Sequence, residues 1–349
     1  MFVSVPPVYD TLLDALRRPL RSLRISVTDR CNLRCAYCMP REAFGRDFVF
    51  LRHADLLSFE EIVRVARQAI ALGVRKIRLS GGEPLLRRGI ERLVEMLAGL
   101  HDETGRPIEL AMTSNGVLLA KKARALKGAG LARLNISLDA LDETVFQRIC
   151  GSDAPLAAVL EGINAAQAAG FAPLKVNAVI KRAVNESEIL PLARHFRHTG
   201  VILRFIEFMD VGTTNGWRLD DVVSADEILA RIDQEFPLYP LAPRHAGEVG
   251  KRWQFMDGGG EIGVIASVTQ TFCHECDRLR LSTDGKLYTC LFASDGADLR
   301  TPLRAGEEDA QLRQRIANVW GGRRDRYSQL RHIASEASAR KIEMSYIGG

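Results

Sequence analysis

Six of the chain's seven cysteines fall into two groups of three, and that grouping is where chemistry enters. The first group reads Cys31-Asn-Leu-Arg-Cys35-Ala-Tyr-Cys38. Three thiolates in one short loop suit an iron–sulfur cluster; because such clusters usually take four cysteines, three leave one iron open to another molecule. A zinc site is the alternative, but neither a histidine nor a fourth cysteine lies close by in sequence to complete one. The second group is Cys273-His-Glu-Cys276 followed by Cys290. Taken alone it could be structural zinc completed by His274, Cys150 or a distant residue; beside the first trio, a second three-cysteine cluster is the better reading. Cys150 is left over and reads as a small, inert, partly buried residue.

The elements that must position these groups follow from the patterning. Short apolar alternations recur over Ser22 to Thr28, Arg75 to Ser80, Ile108 to Thr113, Arg133 to Leu138, Pro173 to Ile180 and Val201 to Phe208. Helical patterns lie between them, such as Phe59 to Leu72, Ile90 to Leu100, Lys121 to Lys127, Leu156 to Ala169 and Glu186 to Arg197, often ended by glycine. Strand and helix in alternation imply a parallel sheet covered by helices. Side chains alternate between the faces of a strand, so Leu23, Ile25 and Val27 share one face while Arg24 and Ser26 share the other. Arg78 with Ser80, Thr113, Asn135 with Ser137, and Lys175 with Asn177 repeat that polar face. A doubly wound sheet would bury both faces; a recurrent polar face fits a sheet curled around a ligand. The expected fold class is α/β, an incomplete (β/α)6 TIM-type barrel with a C-terminal cluster-binding extension. The first trio then sits at the C-terminal end of the first strand, where enzymes of barrel architecture work. The expected domains are a loosely attached N-terminal arm (1–21), the partial barrel (22–219) and an extension (220–349). In the extension a helix near Ala225 to Phe236 precedes short alternating runs around Glu261 to Val268 and Arg278 to Leu287, then a helix from about Glu307 to Trp320.

Composition limits the remaining choices. With 349 residues, 46% hydrophobic and 26% charged, the chain has room for one large domain and an appendage. The 48 basic and 43 acidic residues are interspersed, so the net charge of +5 points to neither nucleic acid nor a basic stripe that would bind it. An export signal and an apolar run near membrane-spanning length are both lacking, so the expected setting is cytoplasmic, with no membrane partner.

Cys31, Cys35 and Cys38, with Tyr37 before the last thiol, and Ser80-Gly81-Gly82-Glu83-Pro84 after the second strand resemble the radical S-adenosylmethionine (SAM) superfamily. The resemblance implies that the open iron binds the amino and carboxylate groups of SAM. The reduced cluster then passes one electron to the sulfonium, releasing a 5′-deoxyadenosyl radical, and the glycine-rich turn receives the methionine part. The second trio followed by Asp277-Arg278-Leu279-Arg280, with Gly348-Gly349 ending the sequence, narrows this: from Arg24 onward the chain resembles the GTP 3′,8-cyclase (MoaA) family of molybdenum-cofactor biosynthesis.

That resemblance implies two [4Fe-4S] clusters, SAM at the first and GTP at the second, at opposite ends of an internal channel. It implies removal of the ribose 3′ hydrogen, addition of the carbon radical to guanine C8, and reduction to 3′,8-cyclo-7,8-dihydro-GTP. Cys31, Cys35, Cys38, Cys273, Cys276 and Cys290 would be the iron ligands. Tyr37, Gly82, Ser137 and Met209 would contact SAM; Arg24, Arg78, Thr113, Lys175, Arg278, Leu279 and Arg280 would contact GTP, with Arg204 a further phosphate ligand. Arg278, Arg280, Gly348 and Gly349 would be catalytic, the two glycines as a tail reaching into the site. The implied partners are GTP, an external one-electron reductant, cyclic pyranopterin monophosphate synthase as recipient of the product, and a second copy of the chain in a homodimer. One departure is Met112-Thr113-Ser114-Asn115-Gly116, where the family often has two threonines. The rival readings are another twin-cluster radical SAM enzyme, such as a peptide-modifying maturase, and a non-catalytic iron–sulfur protein.

Overall fold

The computed structural model describes residues 12–244, 247–334 and 341–348. Its strands are β1 (Ser22–Ser26), β2 (Lys76–Ser80), β3 (Glu109–Ser114), β4 (Arg133–Ser137), β5 (Lys175–Ile180), β6 (Ile202–Glu207), β7 (Leu238–Leu241), β8 (Lys251–Phe255), β9 (Glu261–Ile265), β10 (Arg278–Leu281), β11 (Lys286–Tyr288) and β12 (Ala297–Asp298). The first six form the parallel series read from the alternation, each within two residues of its expected ends. Helices intervene where the 3.6-residue period places them, over Phe59–Ala71, Ile90–Ala98, Ala123–Gly128, Leu156–Ala168 and Ile189–Phe196. An additional helix, Glu143–Cys150, follows β4.

Local chemistry sets these elements. Ser58 accepts from the Glu61 backbone N–H at 3.1 Å while Glu61 accepts from the Ser58 N–H at 2.7 Å, a capping box that starts the first helix and is worth about 1 kcal/mol. That helix buries Ile62, Val65, Ala66 and Ala69 against the outer sheet face, where Leu23, Ile25, Ile77 and Leu79 are also buried. Each such valine, leucine or isoleucine side chain contributes about 1.5–3 kcal/mol on leaving water. The opposite face carries the polar residues, as the parity requires.

The extension is not a separate layer. The sheet runs β12-β11-β10-β1-β2-β3-β4-β5-β6-β9-β8-β7, so β10 adds in parallel to β1 and β9 adds in parallel to β6. Both flanks of the barrel series are therefore lengthened by sequence that follows residue 219, and the expected appendage continues the same sheet. The helix Asp309–Gly321 packs back on Phe59–Ala71.

The expected loose arm is fastened where it can be described. Arg18 is buried and pairs with Asp14 at 2.6 Å, and its guanidinium donates to the Cys273 and Asp325 carbonyls at 2.8 and 2.7 Å. The indole N–H of Trp320 donates to the Arg18 carbonyl at 3.2 Å. A buried guanidinium needs such partners, and these lie in the C-terminal region, so the end of the arm is bound into it. Residues 1–11 lie outside the described residues.

Candidate active site

Strand polarity separates the two cysteine trios. Cys31, Cys35 and Cys38 follow β1, so they stand at the C-terminal end of the parallel strands. Cys273 and Cys276 precede β10, which runs parallel to β1, and are placed at the N-terminal end. Cys290 follows β11, which is antiparallel to β10 and returns to that same end. All six thiols nonetheless line one cavity of about 420 Å³ that passes between the ends.

The first trio is held by its neighbours. Cys31 Sγ accepts from the Leu33 N–H at 3.4 Å and faces Asn115 Nδ2 at 3.7 Å. Burial pushes its thiol up to about 11 and raises Cys35 and Cys38 as well, a penalty that metal ligation, which takes the thiolate, would offset. In the second trio, Cys290 Sγ accepts from the Phe292 N–H at 3.5 Å and Cys276 Sγ from Arg278 at 3.4 Å. Burial works to raise Cys276, but Arg278 and Arg323 outweigh it and bring the thiol down to about 6. The carbonyls of Cys273 and Cys276 are pinned by Arg18 and Arg323, the latter at 2.6 Å. Among the described residues no three His, Cys, Asp or Glu side chains stand close enough together to grip a single ion, as a mononuclear zinc site would. Thiols holding separate corners of an iron–sulfur cubane stand further apart. Three thiols at one cavity end, with N–H donors on the sulfurs of Cys31, Cys276 and Cys290, fit the cubane.

Around the first trio, Tyr37, Gly82, Ser137 and Met209 all line the cavity, brought together from the ends of four different elements. Gly82 is required by a close approach: a Cβ there would lie 2.2 Å from the Arg30 carbonyl oxygen. The Tyr37 hydroxyl donates to Asp139 at 2.8 Å, and Asp139 also accepts from the Val179 N–H at 2.8 Å. Ser114 turns away from Thr113: its hydroxyl donates to the buried Glu83 carboxylate at 2.9 Å, while Thr113 accepts from Arg78 at 3.1 Å. The two hydroxyls of the departing motif therefore serve different ends.

Between the trios the cavity is lined by cations in register. Arg280 on β10 is paired with Arg24 on β1, and Arg24 with Arg78 on β2. Three guanidinium residues thus share one row across strands about 4.8 Å apart. Like charges so placed repel, and an anion between them removes the cost. Burial, reinforced by the neighbouring arginines, holds Arg24 well below its usual range; burial brings Arg78 and Arg280 to about 10 and Arg204 to about 9. Lys175 falls to about 7 through burial and then the charges of Arg204 and Arg133. Asn135, with its amide oxygen turned toward the guanidiniums, accepts from Arg204 at 2.7 Å and Arg78 at 2.9 Å. Leu279 does not join this set. Alternation along β10 turns its side chain into the apolar core, away from Arg278 and Arg280.

The C-terminal tail enters the same interior. Met344–Ile347 forms a helical turn, Ile347 is buried, and the Gly348 carbonyl accepts from Arg280. Gly348 adopts φ 74°, and a Cβ there would meet the Ser80 hydroxyl at 2.2 Å, so only glycine fits. Gly349 lies outside the described residues. Several cavity residues went unpredicted. Asn115 and Asp139 sit just beyond strand ends that the patterning did reveal, and Arg133 shares the β4 face of Asn135 and Ser137; Arg18, Arg244 and Arg323 also line the cavity, and nothing in their local sequence distinguishes them from surface arginines.

Geometry and likeness point the same way. Residues 25–196 match the family model described as the radical SAM superfamily, and residues 201–329 match Molybdenum Cofactor Synthesis C. The likeness to solved structures shows the fold: SuiB of Streptococcus suis bound to S-adenosylmethionine has a TM-score of 0.59 at 15% identity, over 86% of this chain and 68% of that one. The chain thus has the fold and cysteine loop of the radical SAM enzymes. The GTP 3′,8-cyclase of Acidothermus cellulolyticus is 54% identical, covering 96% of this chain and 98% of that protein. The GTP 3′,8-cyclase of Staphylococcus saprophyticus is 46% identical over 97% and 99%. This chain belongs to the GTP 3′,8-cyclase family.

Proposed function

We propose that this chain cyclises GTP to (8S)-3′,8-cyclo-7,8-dihydroguanosine 5′-triphosphate, an early step of molybdopterin biosynthesis, using its residues in the following roles. One observation supports the assignment above all: a single cavity has a cysteine trio at each end and a row of in-register arginines between them. Cys31, Cys35 and Cys38 would hold the first [4Fe-4S] cluster, and Cys273, Cys276 and Cys290 the second. Bound there, the first cluster with SAM would supply one-electron cleavage of the sulfonium and, through it, the means of taking the 3′ hydrogen from GTP.

The chain's own residues orient the reactants. Tyr37, Gly82, Ser137 and Met209 border the SAM end. Arg24, Arg78, Arg204, Arg278 and Arg280, with Lys175 and Thr113, clamp the triphosphate; guanidinium groups suit phosphate oxygens because they donate two parallel hydrogen bonds. No protein nucleophile is needed, so catalysis lies in positioning and in the charge complement to the substrate. The Gly348 carbonyl on Arg280 sets the direction of that guanidinium within the cavity.

An external one-electron reductant, transfer of product to cyclic pyranopterin monophosphate synthase, a homodimeric assembly and a cytoplasmic setting complete the proposal. Among the described residues no helix is long and apolar enough to cross a membrane. The test is incubation of the anaerobically reconstituted protein with SAM, reductant and each nucleoside triphosphate in turn. Cyclised product forms with GTP alone on this reading; equal turnover with ATP, or none with GTP, refutes it.

A further inference from the structure

The tail that delivers Gly348 is fastened along its described length by groups that take no part in the chemistry above. The Lys341 ammonium donates to the Asp210 carbonyl at 3.0 Å and to its carboxylate at 2.9 Å. Glu343 accepts from the Thr213 backbone N–H at 2.9 Å, the Thr213 hydroxyl at 3.1 Å and the Thr214 hydroxyl at 3.0 Å.

Two of these fastenings fall on one loop, the one that leaves β6 and carries Met209 into the cavity. The loop is shaped for the tail. Gly212 has φ 72°, and a Cβ there would lie 2.1 Å from the Glu343 carboxylate. Asp210 is the hub, buried to 7% exposure. Besides Lys341 its carboxylate accepts from Arg331 at 3.0 Å and from the Tyr327 hydroxyl at 2.6 Å. The Tyr327 ring in turn stacks on Phe292 with centroids 4.6 Å apart, two residues beyond Cys290. One carboxylate thus joins the SAM-end loop, the flank of the second trio and the tail.

We propose that the loop 209–215 is the receptor for the C-terminal tail, with Asp210 and the Gly212–Thr214 cradle as positioning residues that set Gly348 against Arg280. The proposal rests on the tail belonging to the active cavity, as argued above. A bond to a buried charge is worth 1–2 orders of magnitude in an equilibrium, so losing one of these anchors frees the tail measurably. It also makes the loop, which bears Met209, responsive to whether the tail is seated.

Asp210→Ala would leave Arg331 buried without its carboxylate and endanger the fold. Variants at the contact itself therefore carry the test: Lys341→Ala and Glu343→Ala on the tail, and Gly212→Ala on the loop. Hydrogen exchange across 341–348 is followed by mass spectrometry in the reconstituted holoenzyme, together with kcat and KM for GTP. Each variant should speed exchange of the tail about tenfold or more and lower kcat about tenfold, while peptides from β1 to β6 exchange as before. Lys341→Arg should restore protection, and Lys341→Ala should add little further effect to Asp210→Asn, because both remove one anchor. Unchanged exchange in all three variants overturns the receptor. Faster exchange with unchanged kcat upholds the receptor and overturns the tail's part in catalysis.

Discussion

Lys175 shows how closely the cavity crowds its cations. Its ammonium, ordinarily near 10.5, lies at about 7 because it is buried and then because Arg204 and Arg133 stand near. A triphosphate would favour the charged form, its negative charge outweighing the repulsion of those neighbours and compensating the burial. The sign follows: between about 7 and 10.5 the free site is largely neutral and the occupied site charged, so GTP binding takes up a proton and weakens as pH rises through that window. Calorimetry of GTP binding in buffers of different ionisation enthalpy should show this uptake at pH 8, and Lys175→Arg should remove it. The cysteines give a second residue-scale prediction. Reconstituted protein should hold about eight irons, Cys31→Ala about four, and the variant should cleave no SAM. These roles were legible because spacing marks the thiols and parity marks the cations on Arg24, Arg78 and Lys175. Arg18, Arg244 and Arg323 were not legible: each lies in irregular sequence, where no period says which way a side chain points. Leu279 was read as one unit with its neighbours, and alternation sends its side chain to the core.

At the scale of elements, the turn after β2 approaches the cysteine loop so closely that two backbones touch. Gly82 N–H donates to the Thr28 carbonyl at 2.8 Å and Glu83 N–H to the Arg30 carbonyl at 2.8 Å. Gly82→Ala places a carbon 2.2 Å from the Arg30 carbonyl oxygen, and backbone must yield. Overpacking of that kind costs about 1–3 kcal/mol. We expect a lower midpoint in chemical denaturation and a loss of SAM cleavage of about a hundredfold or more, measured as 5′-deoxyadenosine formed, because the displaced loop carries the ligands. The six barrel strands were readable since each alternates with a buried apolar face. β7 was not: it contains Pro240, is half exposed throughout, and lies at the sheet edge, where such a residue is tolerated.

Across the whole molecule, the chain closes on itself through contacts far apart in sequence. Arg18 near the start touches Cys273 and Asp325, and β10 pairs with β1. Local patterns do not encode which edge a late strand will join, so the extension read as an appendage although it lengthens both flanks of the barrel. Arg18→Ala breaks a buried pair and should cost about 3–5 kcal/mol. The reconstituted variant should lose the iron of the second trio before that of the first, followed by Mössbauer spectroscopy during chelation.

The central claim is that one cavity joins a SAM-cleaving end to a GTP-binding end, so the hydrogen abstracted must come from GTP bound between the trios. The most direct measurement uses GTP deuterated at ribose C3′ with SAM and reductant under anaerobic conditions, followed by mass analysis of the 5′-deoxyadenosine. The account predicts deuterium in 5′-deoxyadenosine together with cyclised product. 5′-Deoxyadenosine that forms alongside product yet carries no deuterium would contradict it.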